Sequence, residues 1–200
     1  MKFPYGVMTW PVVYRLWEAP FIEKKFAPVA AHNDLKSAGR VLDLGCGPGI
    51  NTHHFTSADY LGVDINAKYI ASAERRHSAR FIAADGAEFV QNTRTPFDFV
   101  LVNSFLHHID LVRTRQILSG VSRLVTAGGH VHILELVLPE KTSLSRFLAR
   151  ADRGKFPRPL AEWESLFKEN FDPVVFEPYD LGLGHTALWE MVYFKGRPKR

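Results

Sequence analysis

The stretch Val41-Leu42-Asp43-Leu44-Gly45-Cys46-Gly47-Pro48-Gly49 decides the fold of this chain. An apolar run that ends in an acidic residue, followed by three glycines and an amphipathic segment, predicts a strand, a tight turn and a helix. Glycine allows positive φ and close approach of a ligand because it has no Cβ. The start of the helix would offer unpaired N–H groups and the positive end of a dipole. The stretch therefore predicts a cradle for a polar cofactor.

The spacing of the glycines narrows the choice of cofactor. A dinucleotide fingerprint would need glycine or alanine at position 50, where this chain has Ile50. A phosphate-binding P-loop would need G-K-[ST], which is absent. The pattern Asp43-x-Gly45-x-Gly47-x-Gly49 instead resembles motif I of the class I S-adenosylmethionine-dependent methyltransferases. Asp43 can then serve the ammonium and sulfonium side of the cofactor, and the N–H groups of the turn can serve its carboxylate.

Polar residues also end the next three apolar runs, which are Tyr60–Ile65, Arg80–Gly86 and Phe97–Ile109. Asp64 is placed to accept hydrogen bonds from two ribose hydroxyls, and Ile65 to lie against adenine. The resemblance implies that Asp85 reaches the adenine amino group. Strand ends of an open α/β sheet converge on one crevice. The predicted cofactor-binding residues are Asp43, Gly45, Cys46, Gly47, Gly49, Asp64, Ile65, Asp85, Gly86, Asn103, Ser104 and His107. The resemblance covers residues 40 to 138 and implies S-adenosylmethionine as cofactor, with S-adenosylhomocysteine as product.

Composition agrees with one globular domain. The chain has 200 residues, of which 46% are hydrophobic and 23% charged, and its net charge is +4. The single cysteine, Cys46, cannot form an internal disulfide, which fits a reducing compartment. Its place inside the glycine turn predicts a packing role for its side chain. There is no secretory layout and no apolar run of about 20 residues, so a cytoplasmic protein is expected. The basic tail 195–200 is interpreted as a solvated end in preference to a contact with nucleic acid or anionic lipid.

Periodicity predicts an α/β fold with a doubly wound, Rossmann-like sheet. Asn66 is predicted to cap a helix that runs to about Ser78. Asp110 is predicted to cap a helix that buries Val112, Ile117, Val121 and Leu124, with Gly128-Gly129 as its stop. The resemblance turns the last two strands into the antiparallel hairpin of a seven-stranded, mostly parallel sheet with helices on both faces. Strands are expected near 40–44, 60–63, 80–84, 97–102, 130–138, 171–178 and 186–194, and a further helix over 160–167.

The predicted organisation is one methyltransferase domain, 1–200. It comprises an N-terminal helical lid or edge segment (1–32), a cofactor-binding core (40–138), a cap insertion (139–159), and a C-terminal helix and hairpin (160–195). In the insertion, Leu144, Phe147, Leu148 and Ala151 stand at helical spacing and could roof the crevice.

Large apolar residues of the N-terminal segment recur at helical spacing, and Pro20 is expected to split it into two helices. Three interpretations stay open: packing on the sheet edge, a lid over an apolar substrate, or a helix at a membrane surface. The lid hypothesis makes Tyr5, Trp10 and Tyr14 substrate contacts. His185, in a glycine-flanked loop, is a further substrate candidate.

The expected reaction is an in-line displacement that depends mainly on alignment. A hydroxyl or protonated amine as acceptor would also need a base within hydrogen-bond reach. His107 and His108 are the nearest candidates, and Glu135 is next. No His, Cys or carboxylate group has the sequence spacing of a metal site, so no metal is predicted.

Missing motifs exclude several acceptors. The [DN]-P-P-[YF] motif of nucleobase amine methylation is absent after the fourth strand, and Cys46 is misplaced for methylation of pyrimidine carbon 5. No basic module suggests nucleic acid as a partner. The expected activity is methyl transfer to O or N of a small, partly apolar molecule. The alternatives are a lipid-linked or polyketide-like acceptor, a non-methylating relative such as a cyclase or binding protein, and an oxidoreductase, which Ile50 disfavours.

Overall fold

The computed structural model describes residues 21–152, 154–183 and 186–199, with no side chain described for Leu183. A seven-stranded sheet in the order β3-β2-β1-β4-β5-β7-β6 organises this part of the chain. The strands are β1 Arg40–Leu44, β2 Asp59–Asp64, β3 Arg80–Ala83, β4 Phe97–Asn103, β5 Val125–Leu136, β6 Phe171–Leu183 and β7 Thr186–Pro198. The first five pair in parallel, and β7 runs antiparallel to both β5 and β6. The predicted doubly wound sheet with a closing antiparallel hairpin is confirmed.

Helices cover both faces of the sheet. The described α-helices are α1 Ile22–Ala31, α2 Ala67–Glu74, α3 Gly86–Asn92, α4 Leu111–Leu124, α5 Leu144–Ala151 and α6 Leu160–Asn170. Leu42 and Leu44 of β1 pack in one core layer with α3, α4 and α6. Val41 points to the opposite layer, which α1 and α2 cover. Alternate side chains of a strand face opposite sides, so burial on both faces explains the continuous apolar runs of the parallel strands.

The helix expected directly behind the glycine turn was predicted wrongly. The structure has one 3-10 turn there, Thr52–His54, instead of an α-helix. Phe55 explains the difference, because its buried ring packs against Phe26 and Phe99, with ring centroids 6.2 and 5.1 Å away. The chain turns inward to bury this aromatic side chain before β2 begins.

Gly128-Gly129 do not stop a helix, which corrects a second expectation. Helix α4 ends at Leu124, and both glycines lie in β5, which begins before residue 130. The pairing of β4 with β5 shifts register between Phe97 and Phe99. A Cβ at Gly129 would lie 2.6 Å from the carbonyl oxygen of Asp98, so the glycine permits a close backbone approach at this irregularity.

Several element bounds and faces also differ from expectation. Helix α2 begins after its cap Asn66 as predicted but ends at Glu74, before Ser78. Asp110 caps α4 as predicted, whereas Val112 is 66% exposed and does not belong to the buried face. The closing strands β6 and β7 are longer than predicted, and β7 extends past residue 195.

Helix α5 forms in the insertion, but its expected apolar face points outward. Leu144 and Phe147 are 52% and 68% exposed, whereas Ser145 and Ala149 are buried. The Ser145 hydroxyl donates to Glu190 Oε1 at 3.1 Å, and Ala149 packs in a small cluster that includes Phe21. The hydrogen bond of Ser145 and the small side chain of Ala149 therefore determine which face of α5 packs against the sheet.

The described end of the N-terminal segment packs as core. Phe21 and Phe26 are buried, and α1 begins at Ile22, just after Pro20. The predicted substrate contacts Tyr5, Trp10 and Tyr14 lie outside the described residues, as does His185. No helix within the described ranges is long and apolar enough to cross a membrane.

Candidate cofactor site

A crevice of about 560 Å³ opens at the carboxyl ends of the parallel strands. Eight of the predicted cofactor residues line it: Gly45, Gly47, Asp64, Ile65, Asp85, Gly86, Asn103 and Ser104. Sequence reasoning missed several further lining residues, namely Tyr69, Phe105, Ile109, Arg113 and Phe156. They belong to helices and loops that pack over the strand ends, and no local motif marks them.

The three glycines of the turn have positive φ values of 78°, 53° and 77° at Gly45, Gly47 and Gly49. A Cβ at Gly45 would overlap the ring of Phe105, and one at Gly49 would touch Ala73. A Cβ at Gly47 would meet no atom within 4 Å. Gly45 and Gly49 are therefore required by packing, whereas Gly47 alone of the three leaves open space on the crevice side.

Asp64 and Ile65 form a polar and an apolar contact side by side at the end of β2. The carboxylate of Asp64 accepts hydrogen bonds from the N–H groups of Gly47 at 2.9 Å and Asn66 at 2.8 Å. The Ile65 side chain is 72% exposed where it lines the crevice. A fixed carboxylate beside an exposed apolar surface suits a ribose diol with an attached flat base.

Asp85 already has partners of its own. Its side chain caps α3 by accepting from the N–H groups of Ala87 and Glu88 at 3.0 and 3.2 Å. Its second oxygen accepts a 2.6 Å charged hydrogen bond from Arg113. Asp85 thus lines the crevice with part of its hydrogen-bonding capacity already used, and Arg113 adds a cation beside it.

Two buried acceptor atoms lie without partners beside the glycine turn. Asp43 is fully buried and accepts from Tyr60 Oη at 2.6 Å and Asn51 Nδ2 at 3.1 Å, but its Oδ1 has no hydrogen-bond partner. Asn103 Oδ1 has none either, and Asn103 lines the crevice. Buried acceptors without donors are costly, so this region has the polarity that an ammonium or hydroxyl donor would satisfy. Asp43 itself does not line the crevice.

Cys46 packs below the turn. It is buried, and burial raises the pKa of its thiol, so the thiol stays protonated. Cys46 lines a smaller recess with Lys25, Asn51 and other residues of the turn. This placement fits the predicted packing interpretation.

Asp43 predicts a pH dependence of stability. Burial raises its pKa from 3.8 to about 6, so the folded protein holds this proton more tightly than the unfolded chain. The stabilisation is complete below pH 3.8 and is lost as the pH rises through 6. Between pH 5 and 8, the wild type should lose about 1 kcal/mol of unfolding free energy relative to Asp43→Asn. Urea titrations of both proteins measure this difference, and a pH-independent difference would contradict the assignment.

His107 is held between two carboxylates. Its Nδ1 lies 2.7 Å from Glu135 Oε2, and its Nε2 lies 3.2 Å from Asp152 Oδ2. Burial alone would lower its pKa, but the two carboxylates raise the pKa to about 9. Neither His107 nor Glu135 lines the crevice, whereas His108 does. Both ring nitrogens of His107 are engaged, so its imidazolium has no free acceptor.

Glu135 holds the turn that follows β4 by hydrogen bonds to its backbone. It is fully buried, and its Oε1 accepts from the N–H groups of Phe105 at 3.0 Å and Leu106 at 2.7 Å. Ser104, which precedes them, is the one described non-glycine residue with positive φ, at 54°. A strained residue at a strand end is typical of a functional turn. Glu135 thus fixes the backbone that forms one wall of the crevice.

The fold is Rossmann-like, and its polar crevice at the strand ends suits an adenosine-type cofactor. Comparison with known proteins agrees: the methyltransferase domain family matches residues 41–129. Trans-aconitate 2-methyltransferase of Variovorax paradoxus is 34% identical over 107 residues, which are 50% of this chain and 39% of that protein. An uncharacterized methyltransferase of Mycobacterium bovis is 32% identical over 133 residues, 62% of this chain and 64% of that protein.

Solved structures share the fold. The N-methyltransferase NodS of Bradyrhizobium japonicum, in complex with S-adenosylhomocysteine, superposes with a TM-score of 0.66 at 16% identity, covering 98% of this chain and 92% of that one. The chain spans less than two thirds of the length of the two curated relatives named above. The match over residues 41–129, the related sequences and the shared fold together support a class I S-adenosylmethionine-dependent methyltransferase, a family whose cofactor is S-adenosylmethionine.

Proposed function

We propose that this protein transfers the methyl group of S-adenosylmethionine to an oxygen or nitrogen of a small, partly apolar acceptor. The observation that carries the proposal is the convergence of eight residues, predicted from four separate strand ends, on one crevice. Any one of them could be an ordinary strand-end residue. Together they supply an open glycine for the amino acid part of the cofactor, an acidic group for its ribose and an apolar contact for its adenine.

The crevice residues fit the parts of the cofactor. We assign the ribose to Asp64, one face of the adenine to Ile65, and the end of the adenine to Asp85 and Gly86. The amino acid part is assigned to the space beside Gly47, where Asn103 Oδ1 lacks a donor. When bound, the cofactor supplies a methyl group already activated by its sulfonium. The protein's own contribution is alignment and exclusion of water.

The acceptor is assigned to the wall formed by Phe105, His108 and Phe156, all of which line the crevice. Two aromatic rings and one imidazole suit a molecule with an apolar body and one polar group. His107 is not assigned as a base, since both of its nitrogens bond to carboxylates. His108 is the histidine that faces the acceptor.

The names of two similar proteins indicate which classes of acceptor to test. One relative is named for trans-aconitate, a carboxylate acceptor, and NodS is named as an N-methyltransferase. The acceptor screen should therefore contain unsaturated carboxylic acids, phenols and amines. Tritium transfer from methyl-labelled S-adenosylmethionine measures the activity, with a Gly47→Val variant as the inactive control. Binding of the cofactor without transfer to any of the three classes would favour the non-methylating alternative.

Asp64→Asn should weaken cofactor affinity by about 10-fold, because one charged acceptor for the ribose hydroxyls is lost. The amide oxygen can still accept one backbone N–H, so the turn should stay folded. Asp172→Asn on an exposed position of β6 is the matched control and should leave affinity unchanged. Calorimetric titration measures both. Equal affinity in Asp64→Asn and wild type would remove Asp64 from the ribose site.

We also propose that the protein is located in the cytoplasm. It rests on the free, buried Cys46, which fits a reducing compartment. Detection of the protein in the cytosolic fraction of its source cells would test it.

A further inference from the structure

His107, His108 and Asp152 bring three metal-ligating groups together at the rim of the crevice. One ligand atom from each lies within 4.8 Å of the other two. His108 lines the crevice, and Asp152 directly follows α5. Their separation along the chain explains why sequence spacing gave no sign of the cluster.

The support of His107 is the arrangement that metal-binding histidines have. Its Nδ1 bonds to the fully buried Glu135, which fixes the ring and leaves Nε2 directed at Asp152. Ligating histidines almost always use their second nitrogen in this way, toward a carboxylate or a carbonyl. Glu135 is itself fixed by the N–H groups of Phe105 and Leu106. The ligand is therefore oriented before any ion binds.

Distance and charge also fit a divalent ion. His107 Nε2 and Asp152 Oδ2 are 3.2 Å apart, close to the roughly 3.3 Å between two ligands that each lie about 2.0 Å from a tetrahedral ion. An ion bound at Nε2 would displace the proton that His107 holds between Glu135 and Asp152, and a divalent charge would match these two carboxylates. The guanidinium of Arg158 is paired with Glu162 at 3.1 Å and also interacts with the charge of Glu135, so it offsets part of that charge.

We propose that His107, His108 and Asp152 bind a divalent first-row metal ion, with Zn²⁺ the best match to two imidazoles and one carboxylate. Three protein ligands leave one position open, as in sites where zinc meets a substrate. His108 places the ion at the acceptor wall, so that position can take an anionic oxygen of the acceptor. The ion also ties the segment after α5 to the turn after β4. The binding of the ion does not depend on methyl transfer, whereas the role of the open position toward the acceptor rests on the proposed function.

A second group of similar composition, Glu23, His53 and His54, serves as the internal control. The side chains of Glu23 and His53 are 73% and 52% exposed, whereas that of His107 is 6% exposed. Ordering exposed side chains costs conformational entropy. In the first group His108 and Asp152 are also exposed, but His107 is buried and fixed by Glu135, so this group should bind the ion more tightly.

The test is titration of the untagged 200-residue chain with Co²⁺, followed by visible absorption, and with Zn²⁺, followed by calorimetry. We expect one ion per chain and the absorption bands of a low-coordinate Co²⁺ site. Asp152→Asn and His108→Gln should each weaken Zn²⁺ binding by more than about 10-fold, and Glu135→Gln by about 10- to 100-fold. His53→Gln should leave it unchanged.

Two outcomes would overturn the proposal. One is the absence of Zn²⁺ binding at millimolar concentration by protein that is folded by circular dichroism. The other is binding that His53→Gln abolishes and Asp152→Asn does not change. Affinity for S-adenosylhomocysteine is measured on the same samples, so a failure of the metal site is separated from a failure of the cofactor site.

Discussion

Replacing Gly47 by valine is expected to weaken S-adenosylmethionine binding by about 100-fold, which corresponds to about 2.7 kcal/mol. The added side chain meets no protein atom within 4 Å and so occupies the crevice. The φ of 53° makes valine costly in the backbone. Gly47→Asn therefore accompanies it, because asparagine tolerates positive φ better yet still fills the space. Both variants are measured by calorimetric titration.

The control for Gly47 is Gly128→Val. Gly128 is an exposed glycine of β5 whose added Cβ also meets no atom within 4 Å, but it lies away from the crevice and its φ is not positive. This variant should bind the cofactor as the wild type does. Wild-type affinity in a folded Gly47→Asn would contradict the assignment of the glycine turn to the cofactor.

Replacing Glu135 by alanine is expected to lower the free energy of unfolding by about 3–5 kcal/mol. The change removes the acceptor of two backbone N–H groups and leaves the buried His107 without its closer carboxylate. Unpaired buried donors carry their full desolvation cost. Urea unfolding at neutral pH measures the loss.

Two further variants separate this effect from a general sensitivity to substitution. Glu164→Ala removes an exposed carboxylate paired with Lys168 and should change stability by less than about 0.5 kcal/mol. Glu135→Gln keeps the size and one acceptor oxygen, so it should lie between wild type and Glu135→Ala. A loss below about 1 kcal/mol in Glu135→Ala would show that this carboxylate does not hold the turn after β4.

The parallel half of the sheet was predictable because strands that are buried on both faces consist of short runs of apolar residues in the sequence. The polar residues at their ends, Asp64, Asp85 and Asn103, could be placed for the same reason: parallel strands end on one edge. Caps such as Asn66 and Asp110 use local hydrogen bonds, which a short window of sequence contains.

The errors arose where distant contacts decide local structure. Phe55 converts an expected helix into one 3-10 turn because it packs against Phe26 and Phe99. Helix α5 turns its apolar face outward because Ser145 bonds to Glu190, far along the chain.

The cluster around His107 was hidden for a related reason. Glu135 and Asp152 approach its two nitrogens from separate parts of the chain. Contacts between residues so far apart in the sequence cannot be predicted from helical or strand periodicity.

Calorimetric titration with S-adenosylmethionine and S-adenosylhomocysteine, with NAD as the control, shows whether the crevice is the binding site of S-adenosylmethionine. We expect micromolar binding of both sulfur ligands and none of NAD. Absence of binding by either sulfur ligand to folded protein would contradict the assignment of the crevice, and the proposed methyl transfer would fall with it.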